Sequence, residues 1–247
     1  MKTILKGIHA VQSALESDSD NVVQVWIAES KRNQRVLNLA LQVQQRGLIL
    51  HKASMNQLDK LAKSRKHQGV VAQYNAPKAW DDNALFNLLS ELDRPALLLI
   101  LDGVTDPHNL GACLRTAEGA GVDAVIAPKD KAAGLTPTAR KVASGAAETI
   151  PFVQVTNLVR TMDLLKDAGV WITGTSDKAT EDLYAGDYKA STAIVMGTEG
   201  KGLRRLTEEH CDHLISIPMA GKVSSLNVSV ATGVCLYEIV RQRSVVA

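Results

Sequence analysis

Ser216-Ile-Pro-Met-Ala-Gly-Lys-Val-Ser-Ser-Leu-Asn-Val-Ser-Val-Ala-Thr-Gly-Val234 reads as a short apolar strand ending at Pro218, a loop of small residues, and a long apolar run from about Leu226. Ser224, Ser225 and Asn227 stand where the loop becomes a helix, the place for side-chain oxygens that satisfy free backbone amides. The helix behind them, 228–240, carries apolar residues on most faces, among them Val228, Val230, Ala231, Val234, Cys235 and Ile239. That composition predicts a buried helix presenting a polar N-terminus to a pocket. An ordinary capped core helix has the same local pattern, so other stretches must separate the two readings.

Two stretches do so: Leu101-Asp-Gly-Val-Thr-Asp-Pro-His-Asn-Leu-Gly-Ala-Cys-Leu-Arg-Thr-Ala117 and Ile194-Val-Met-Gly-Thr-Glu-Gly-Lys-Gly202. Each follows an apolar run with the look of a buried strand (96–101 and 193–196) and then breaks into a polar, glycine-containing loop. Three strand ends with such loops predict one crevice at the carboxyl edge of a parallel sheet, where open α/β folds bind ligands.

Outward from these blocks, strands and helices alternate. Strand-like runs at 124–127, 152–155 and 170–174 are interleaved with helical spacing at 110–120, 138–144 and 158–168, the last with the stripe Leu158, Met162, Leu165. The expectation is an α/β domain with a mostly parallel sheet and crossover helices. The pattern is Rossmann-like, yet no G-x-G-x-x-G follows the first strand, and Leu203 follows Gly202 where a P-loop needs Lys and Ser or Thr. A nicotinamide oxidoreductase on this sheet is disfavoured for the same reason.

The first third reads as a smaller α/β unit. Strands are expected at 22–28, 48–50 and 69–74, with one helix carrying Val36, Leu39, Ala40 and Val43 up to Gly47 and another over 57–64. The stretch Asn75-Ala-Pro-Lys-Ala-Trp-Asp-Asp-Asn83 lacks periodicity and reads as a linker. The expected organisation is residues 1–75 as one domain, 76–94 as linker and lead-in helix, and 95–247 as the second domain.

Charge separates the same two parts. Residues 1–75 hold 11 Lys+Arg against 5 Asp+Glu (+6), and residues 76–247 hold 17 against 21 (−4), which sum to the net +2 of the chain. A local cationic excess is the footprint of a polyanion-binding module, although a solvated basic face has the same composition. The candidate contacts are Lys6, His9 and the loop residues Lys63, Arg65, Lys66 and His67, where point charges and a guanidinium can hold phosphates; a structural role for His9 stands beside this. With 45% hydrophobic and 22% charged residues, a soluble globular chain is expected. It has no run of about 18 apolar residues and no apolar signal core after Met1, so neither a membrane span nor secretion is expected. Three cysteines without C-x-x-C spacing suit a reducing cytoplasm and packing roles, and no cluster has metal-ligand spacing.

Taken together, the three blocks resemble the three motifs of the SpoU branch of the SPOUT RNA methyltransferases, over roughly Pro95 to Arg243. The segment before them, with Gly7-Ile-His-Ala-Val11 and His67-Gln-Gly-Val-Val71, resembles the RNA-binding domain attached to many of these enzymes, which is L30e-like. Within the branch the chain is most similar to the bacterial enzymes that methylate a guanosine ribose of 23S ribosomal RNA. The resemblance implies a deep trefoil knot formed from about residue 193 onward, a homodimer with the active site at its interface, and S-adenosyl-L-methionine as cofactor. It implies cofactor contacts at Gly197, Ile217 and Leu226, and catalytic positions at Asn109, Arg115, Glu199, Ser225 and Asn227. It also implies ribosomal RNA as partner, cytoplasmic location and no metal.

The chemistry so implied, methyl transfer from a sulfonium to a ribose 2′-hydroxyl, needs alignment and charge management rather than a metal. A guanidinium stays protonated in proteins, so Arg115 is expected to stabilise developing alkoxide charge and position phosphate rather than take the proton. Asn109 and Arg115, six residues apart, are expected in the first turns of one helix or its entry loop. Gly197 is expected to let backbone approach the ligand closely. Core packing explains Ile217 and Leu226 equally well. A transfer-RNA ribose methyltransferase and a non-catalytic ribosome-assembly factor are the alternatives; the basic first third favours ribosomal RNA, and intact Asn109, Arg115 and Asn227 favour an enzyme.

Overall fold

Apolar runs alternating with short polar loops set the layers of the protein, described here by a computed structural model for residues 2–17, 19–29, 34–75 and 80–244. The chain divides into two compact units, Met1–Ala79 and Trp80–Ala247. Residues 76–79 of the expected linker lie outside the described residues. The helix expected to lead in from that linker instead belongs to the second unit, because its Leu85 is fully buried in that unit's core.

The first unit runs β1 (Lys2–Lys6), α1 (Ile8–Ser17), β2 (Val22–Ala28), α2 (Gln34–Gln45), β3 (Ile49–Ala53), α3 (Met55–Ala62) and β4 (Val70–Asn75). Its sheet has the order β1-β4-β2-β3, with β4 antiparallel to both β1 and β2 and with β3 parallel to β2. Period-two alternation sends Val25, Ile27, Val70 and Ala72 to one face with residues of α1 and α2. Among the described residues the other face meets α3, through Ala28, Ala53 and Val71 against Leu58 and Ala62. A capping box at Ser54 and Gln57 starts α3. Sequence reading took the segment of β1 and α1 for a contact stretch and missed both elements.

The second unit continues with α4 (Asp82–Ser90), β5 (Leu97–Leu101), α5 (Pro107–Gly119), β6 (Ala124–Pro128), α6 (Pro137–Ala143), α7 (Ala146–Thr149), β7 (Phe152–Val155), α8 (Leu158–Asp167), β8 (Trp171–Thr175), β9 (Glu181–Asp182), β10 (Thr192–Met196), α9 (Arg205–Glu209), β11 (His213–Ser216) and α10 (Val228–Ser244). All seven strands are parallel, in the order β7-β6-β5-β10-β8-β11-β9. The central strands are buried on both faces, as a parallel sheet between helices requires. Leu97, Leu99 and Leu101 join the core with α5, α6, α7 and α10, while Leu98 and Ile100 join the opposite core with α4 and α8. The strand order reverses beside β5, which places the crevice of such a sheet at the carboxyl ends of β5, β8 and β10. β11 stops at Ser216, two residues short of the expected end; Pro218 has no N–H for the ladder.

α10 is less buried than its composition predicts. Val228, Cys235, Leu236 and Ile239 face the core, but Val230 and Tyr237 are 52% and 53% exposed. Its C-terminal turn is anchored by Arg243, which donates to the carbonyls of Pro95 (3.0 Å), Ala96 (3.1 Å), Tyr188 (3.0 Å) and Ala190 (2.7 Å). Arg243→Ala is expected to cost about 2–4 kcal/mol in urea unfolding, and Arg243→Lys most of that, since an ammonium cannot fan out to four acceptors. A Lys variant as stable as the parent would refute the fork.

Cys113 and Cys235 are buried and Cys211 is half-buried, and all three are free. Burial pushes their thiols up to about 11 for Cys113 and about 12 for Cys211 and Cys235. At pH 8 all three are protonated in the folded chain, so thiol reagents are expected to label them only as fast as the protein unfolds. Rapid stoichiometric labelling without denaturant would contradict this.

Candidate functional site

The three loops read from the sequence meet at one point. α5 begins with Asp106 as its N-cap, whose carboxylate accepts from the His108 amide (3.0 Å), and with Pro107 at the first helical position. This places Asn109 in the first turn. α10 begins at Asn227, whose Oδ1 accepts from the Ser229 amide (2.9 Å) and the Ser229 hydroxyl (2.6 Å), so the expected cap is Asn227 itself.

Glu199 lies between these two helix N-termini. Its Oε1 accepts from Asn109 Nδ2 (3.2 Å), from Asn227 Nδ2 through a very short bond, and from the Val228 amide (3.4 Å). Asn227 Nδ2 also reaches Asn109 Oδ1 (3.1 Å). One carboxylate thus ties together the loops after β5, after β10 and before α10, and the positive ends of two helices favour its charge.

The Glu199 loop is closed by its own backbone. Thr198 and Gly202 exchange two amide-to-carbonyl bonds of 3.0 Å, and the turn between them uses Gly200 and Gly202 at φ 76° and 66°. A Cβ on Gly197 would lie 2.5 Å from the Leu203 amide nitrogen. The fold-back by itself therefore requires glycine at 197, independently of any ligand that approaches its backbone. Asp102, which sequence reading did not single out, holds the far end of the loop. Fully buried at the end of β5, it accepts from the Arg204 amide (2.8 Å), and the Arg204 guanidinium lies 3.5 Å from its other oxygen. The available signal was an acidic residue directly after five apolar ones.

Beside this junction is a cavity of about 280 Å³ at the carboxyl edge of the sheet. Gly197, Glu199, Ile217, Ser225 and Leu226 all line it, five of the eight expected site residues of this unit. Its apolar surface comes from Met196, Ile215, Ile217, Met219, Leu226, Val228 and Ala231. The Ser224 and Ser225 hydroxyls are exposed and make no hydrogen bond among the described residues. The end of β8 adds Thr175, Ser176, Asp177 and Lys178, a fourth loop that sequence reading missed because it lacks a glycine or amide signature.

Arg115 is not part of this cluster. It is the ninth residue of α5, exposed, and without a hydrogen bond or ion pair among the described residues. Six residues of helix turn the chain by roughly 600°, so its side chain leaves on a different face from Asn109, about 9 Å further along the axis. The expectation that both lie in the first turns is corrected accordingly.

In the first unit the Gly7 amide donates to the Val70 carbonyl (3.0 Å) and the Ile8 amide meets Gln68 Oε1 (3.4 Å), so the segment of Lys6 and His9 adjoins the loop after α3. Lys6, His9, Lys63, Arg65 and Lys66 are exposed. His67 is not: it is fully buried, with Nε2 2.8 Å from Asp59 Oδ1 and Nδ1 accepting from the Gly69 amide (3.1 Å). Nδ1 accepts, so Nε2 carries the proton and donates to Asp59. His67 is a structural histidine that shapes the loop, and its expected phosphate contact is withdrawn. Among the described residues no helix is long and apolar enough to cross a membrane, and no group of three or more His, Cys, Asp or Glu could hold a metal ion.

Comparison with known proteins identifies the family of both units. Residues 96–237 match the SpoU rRNA Methylase family, and residues 4–80 match the RNA 2′-O ribose methyltransferase substrate binding domain. The chain is 53% identical over 243 residues to the 23S rRNA (guanosine-2′-O-)-methyltransferase RlmB of Pectobacterium atrosepticum, covering 98% of this chain and 99% of that one. It is 51% identical over 244 residues to the Escherichia coli K12 protein of the same name, covering 99% and 100%. Among solved structures, the SpoU methyltransferase AviRb of Streptomyces viridochromogenes, crystallised with the cofactor AdoMet, superposes with a TM-score of 0.66 at 25% identity, covering 99% of this chain and 91% of that one. The chain belongs to the SpoU rRNA methylase family.

Proposed function

We propose that the protein transfers a methyl group from S-adenosyl-L-methionine to the ribose 2′-hydroxyl of a guanosine in 23S ribosomal RNA, in the cytoplasm. The observation that carries this reading is the Asn109–Glu199–Asn227 junction, which unites all three family motifs at the rim of one cavity. Near-full-length identity to RlmB proteins supports the substrate.

The cavity fits the cofactor in character. Its apolar wall suits an adenosine and a thioether, and the charges around it, Asp177, Lys178, Glu199 and Lys201, are of both signs, as a zwitterionic amino-acid tail needs. S-adenosylmethionine supplies an electrophilic methyl group whose transfer discharges a cation. Gly197, Ile217 and Leu226, which line the cavity, would hold the nucleoside side. Ser225 and Asn109 orient the ribose, Asn227 and Glu199 keep the loops closed around it, and Arg115 stabilises charge developing on the 2′-oxygen.

Arg115 leaves its own α5 away from this cavity, so in our reading it serves the site of a second copy. Support for a homodimer lies in the α5–α10 pair, where Tyr237 donates to the Gly119 carbonyl and stands exposed with Val230 and Arg115. The reading includes the family's trefoil knot, supported by insertion of β10 between β5 and β8 and return of α10 against α5. Residues 1–75 act as the RNA-binding domain, through Lys6, His9, Lys63, Arg65 and Lys66, and 95–247 as the catalytic domain.

The test is incubation with methyl-labelled S-adenosylmethionine and ribosomal RNA lacking the modification, with transfer RNA and Asn109→Ala as controls. Label at one 23S guanosine, resistant to alkaline cleavage there, is expected. Absence of label in any RNA, together with absence of cofactor binding, would end the proposal.

A further inference from the structure

The sheet face that α3 covers in the first unit is only partly closed. Register aligns Ile4, Gln73, Gln24 and Ile49 across β1, β4, β2 and β3, and aligns Lys6, Val71, Trp26 and His51 in the next row. α3 packs at the end holding Ala28, Ala53 and Val71, which leaves the glutamine row and the two rings half-buried and Ile49 56% exposed.

These side chains are ordered by one another. The Trp26 and His51 rings stack with centroids 5.4 Å apart and planes 22° apart. His51 Nε2 lies 2.9 Å from Gln24 Oε1, and Gln24 Nε2 donates to Gln73 Oε1 (2.6 Å). The Gln24 oxygen is an acceptor only, so His51 donates from Nε2. His51 Nδ1 then remains as an acceptor and Gln73 Nε2 as a donor, both without a partner among the described residues. None of the four strands contains an acidic residue. Lys6 stands in the row of Val71 and Trp26 at the α3 end. The segment after it adjoins the loop that carries the exposed Lys63, Arg65 and Lys66, through Gly7 N–H to the Val70 carbonyl and Ile8 N–H to Gln68 Oε1.

A flat aromatic pair beside a preset donor and acceptor, with cations at one end and no carboxylate in the strands, suits a planar hydrogen-bonding group on a polyanion. Phosphates alone would not need the rings, and an apolar partner helix would not need the amide chain. An unpaired nucleobase uses every feature, by stacking and through its edge. We propose that this face is a base-stacking platform for a single-stranded segment of the substrate RNA. One base lies against Trp26 and His51, its edge meets His51 Nδ1 and Gln73 Nε2, and its backbone runs to Lys6, Lys63, Arg65 and Lys66. This rests on the reading of the protein as an RNA methyltransferase whose first unit binds substrate.

The experiment compares full-length wild type with Ile49→Glu, His51→Ala and the pair Gln24→Ala, Gln73→Ala, using unmethylated 23S RNA. The KM for RNA is expected to rise about 5–30-fold in each, with kcat, cofactor Kd and melting temperature unchanged. An unpaired oligonucleotide is expected to quench indole fluorescence, with most of the quenching lost in Trp26→Phe. An unchanged KM in Ile49→Glu and His51→Ala, with wild type methylating the RNA, overturns the platform. So does a loss of self-association in place of an RNA effect, which assigns the face to a second copy. A wild type that methylates no RNA removes the underlying reading instead.

Discussion

Arg115→Ala is expected to lower kcat for methyl transfer by about 10²–10³-fold while leaving the Kd of S-adenosylmethionine unchanged. The side chain is exposed on the third turn of α5 and makes no contact with the Asn109–Glu199–Asn227 junction of its own chain, so its removal should not disturb the cavity. Loss of a fixed cation near a developing alkoxide affects the transition state only. Arg115→Lys should recover part of the activity without a new pH dependence, because neither side chain changes charge near neutrality; nearly full kcat with a shifted pH profile would instead show a proton-transfer role. The in-trans arrangement has its own signature. Mixing chains carrying Arg115→Ala with chains carrying Asn227→Asp should restore activity to roughly a quarter of wild type: half of randomly paired dimers are mixed, and each mixed dimer has one intact site. Strict failure to complement, with mixed dimers verified by mass, would place Arg115 in the site of its own chain.

Asn227→Asp is the second large expected effect. Asp caps a helix as well as Asn does, so the bond to the Ser229 amide survives. What is lost is Nδ2, the donor that joins Glu199 and Asn109. A second carboxylate then faces Glu199 at hydrogen-bonding distance, and two like charges so close cannot both stay ionised. One carboxyl pKa must rise, so the junction is intact when a proton is shared and springs open as pH rises through the raised value. Activity is expected to fall more than about 100-fold at pH 8 and to recover in part towards pH 6, the opposite trend to that expected for ionising a hydroxyl. Adding Glu199→Gln should relieve the repulsion and regain at least about tenfold. A double variant no better than the single one would show that the carboxylate pair is not the cause.

Much of this was legible in the chain itself. Continuous short apolar runs, such as Leu97–Leu101 and residues 193–196, read as strands buried on both faces, and their alternation with helical stripes such as Leu158, Met162 and Leu165 pointed to a parallel α/β sheet. Loop chemistry alone singled out Ser224, Ser225 and Asn227 at a helix start, and the resemblance to the SpoU motifs added Gly197, Glu199 and Leu226; Gly197, Glu199, Ser224, Ser225 and Leu226 do line one cavity. Local spacing has no knowledge of what packs opposite, and there the reading stopped. His67 looks like one more member of a basic loop until Asp59 and the Gly69 amide enclose it. Gly197 looks like a glycine required by a ligand, and only the folded chain shows that the Thr198–Gly202 fold-back also occupies the space of its Cβ. Arg115 looks adjacent to Asn109 until helical rotation carries it to another face. The sequence by itself determined the layers, the motif loops and the charge division between the units. The tertiary structure alone decided that Glu199 joins two helix N-termini, that Asp102 holds the loop and that Trp26 stacks on His51. Those contacts join residues 25 to 118 positions apart, and a distance along the chain carries no information about direction in space.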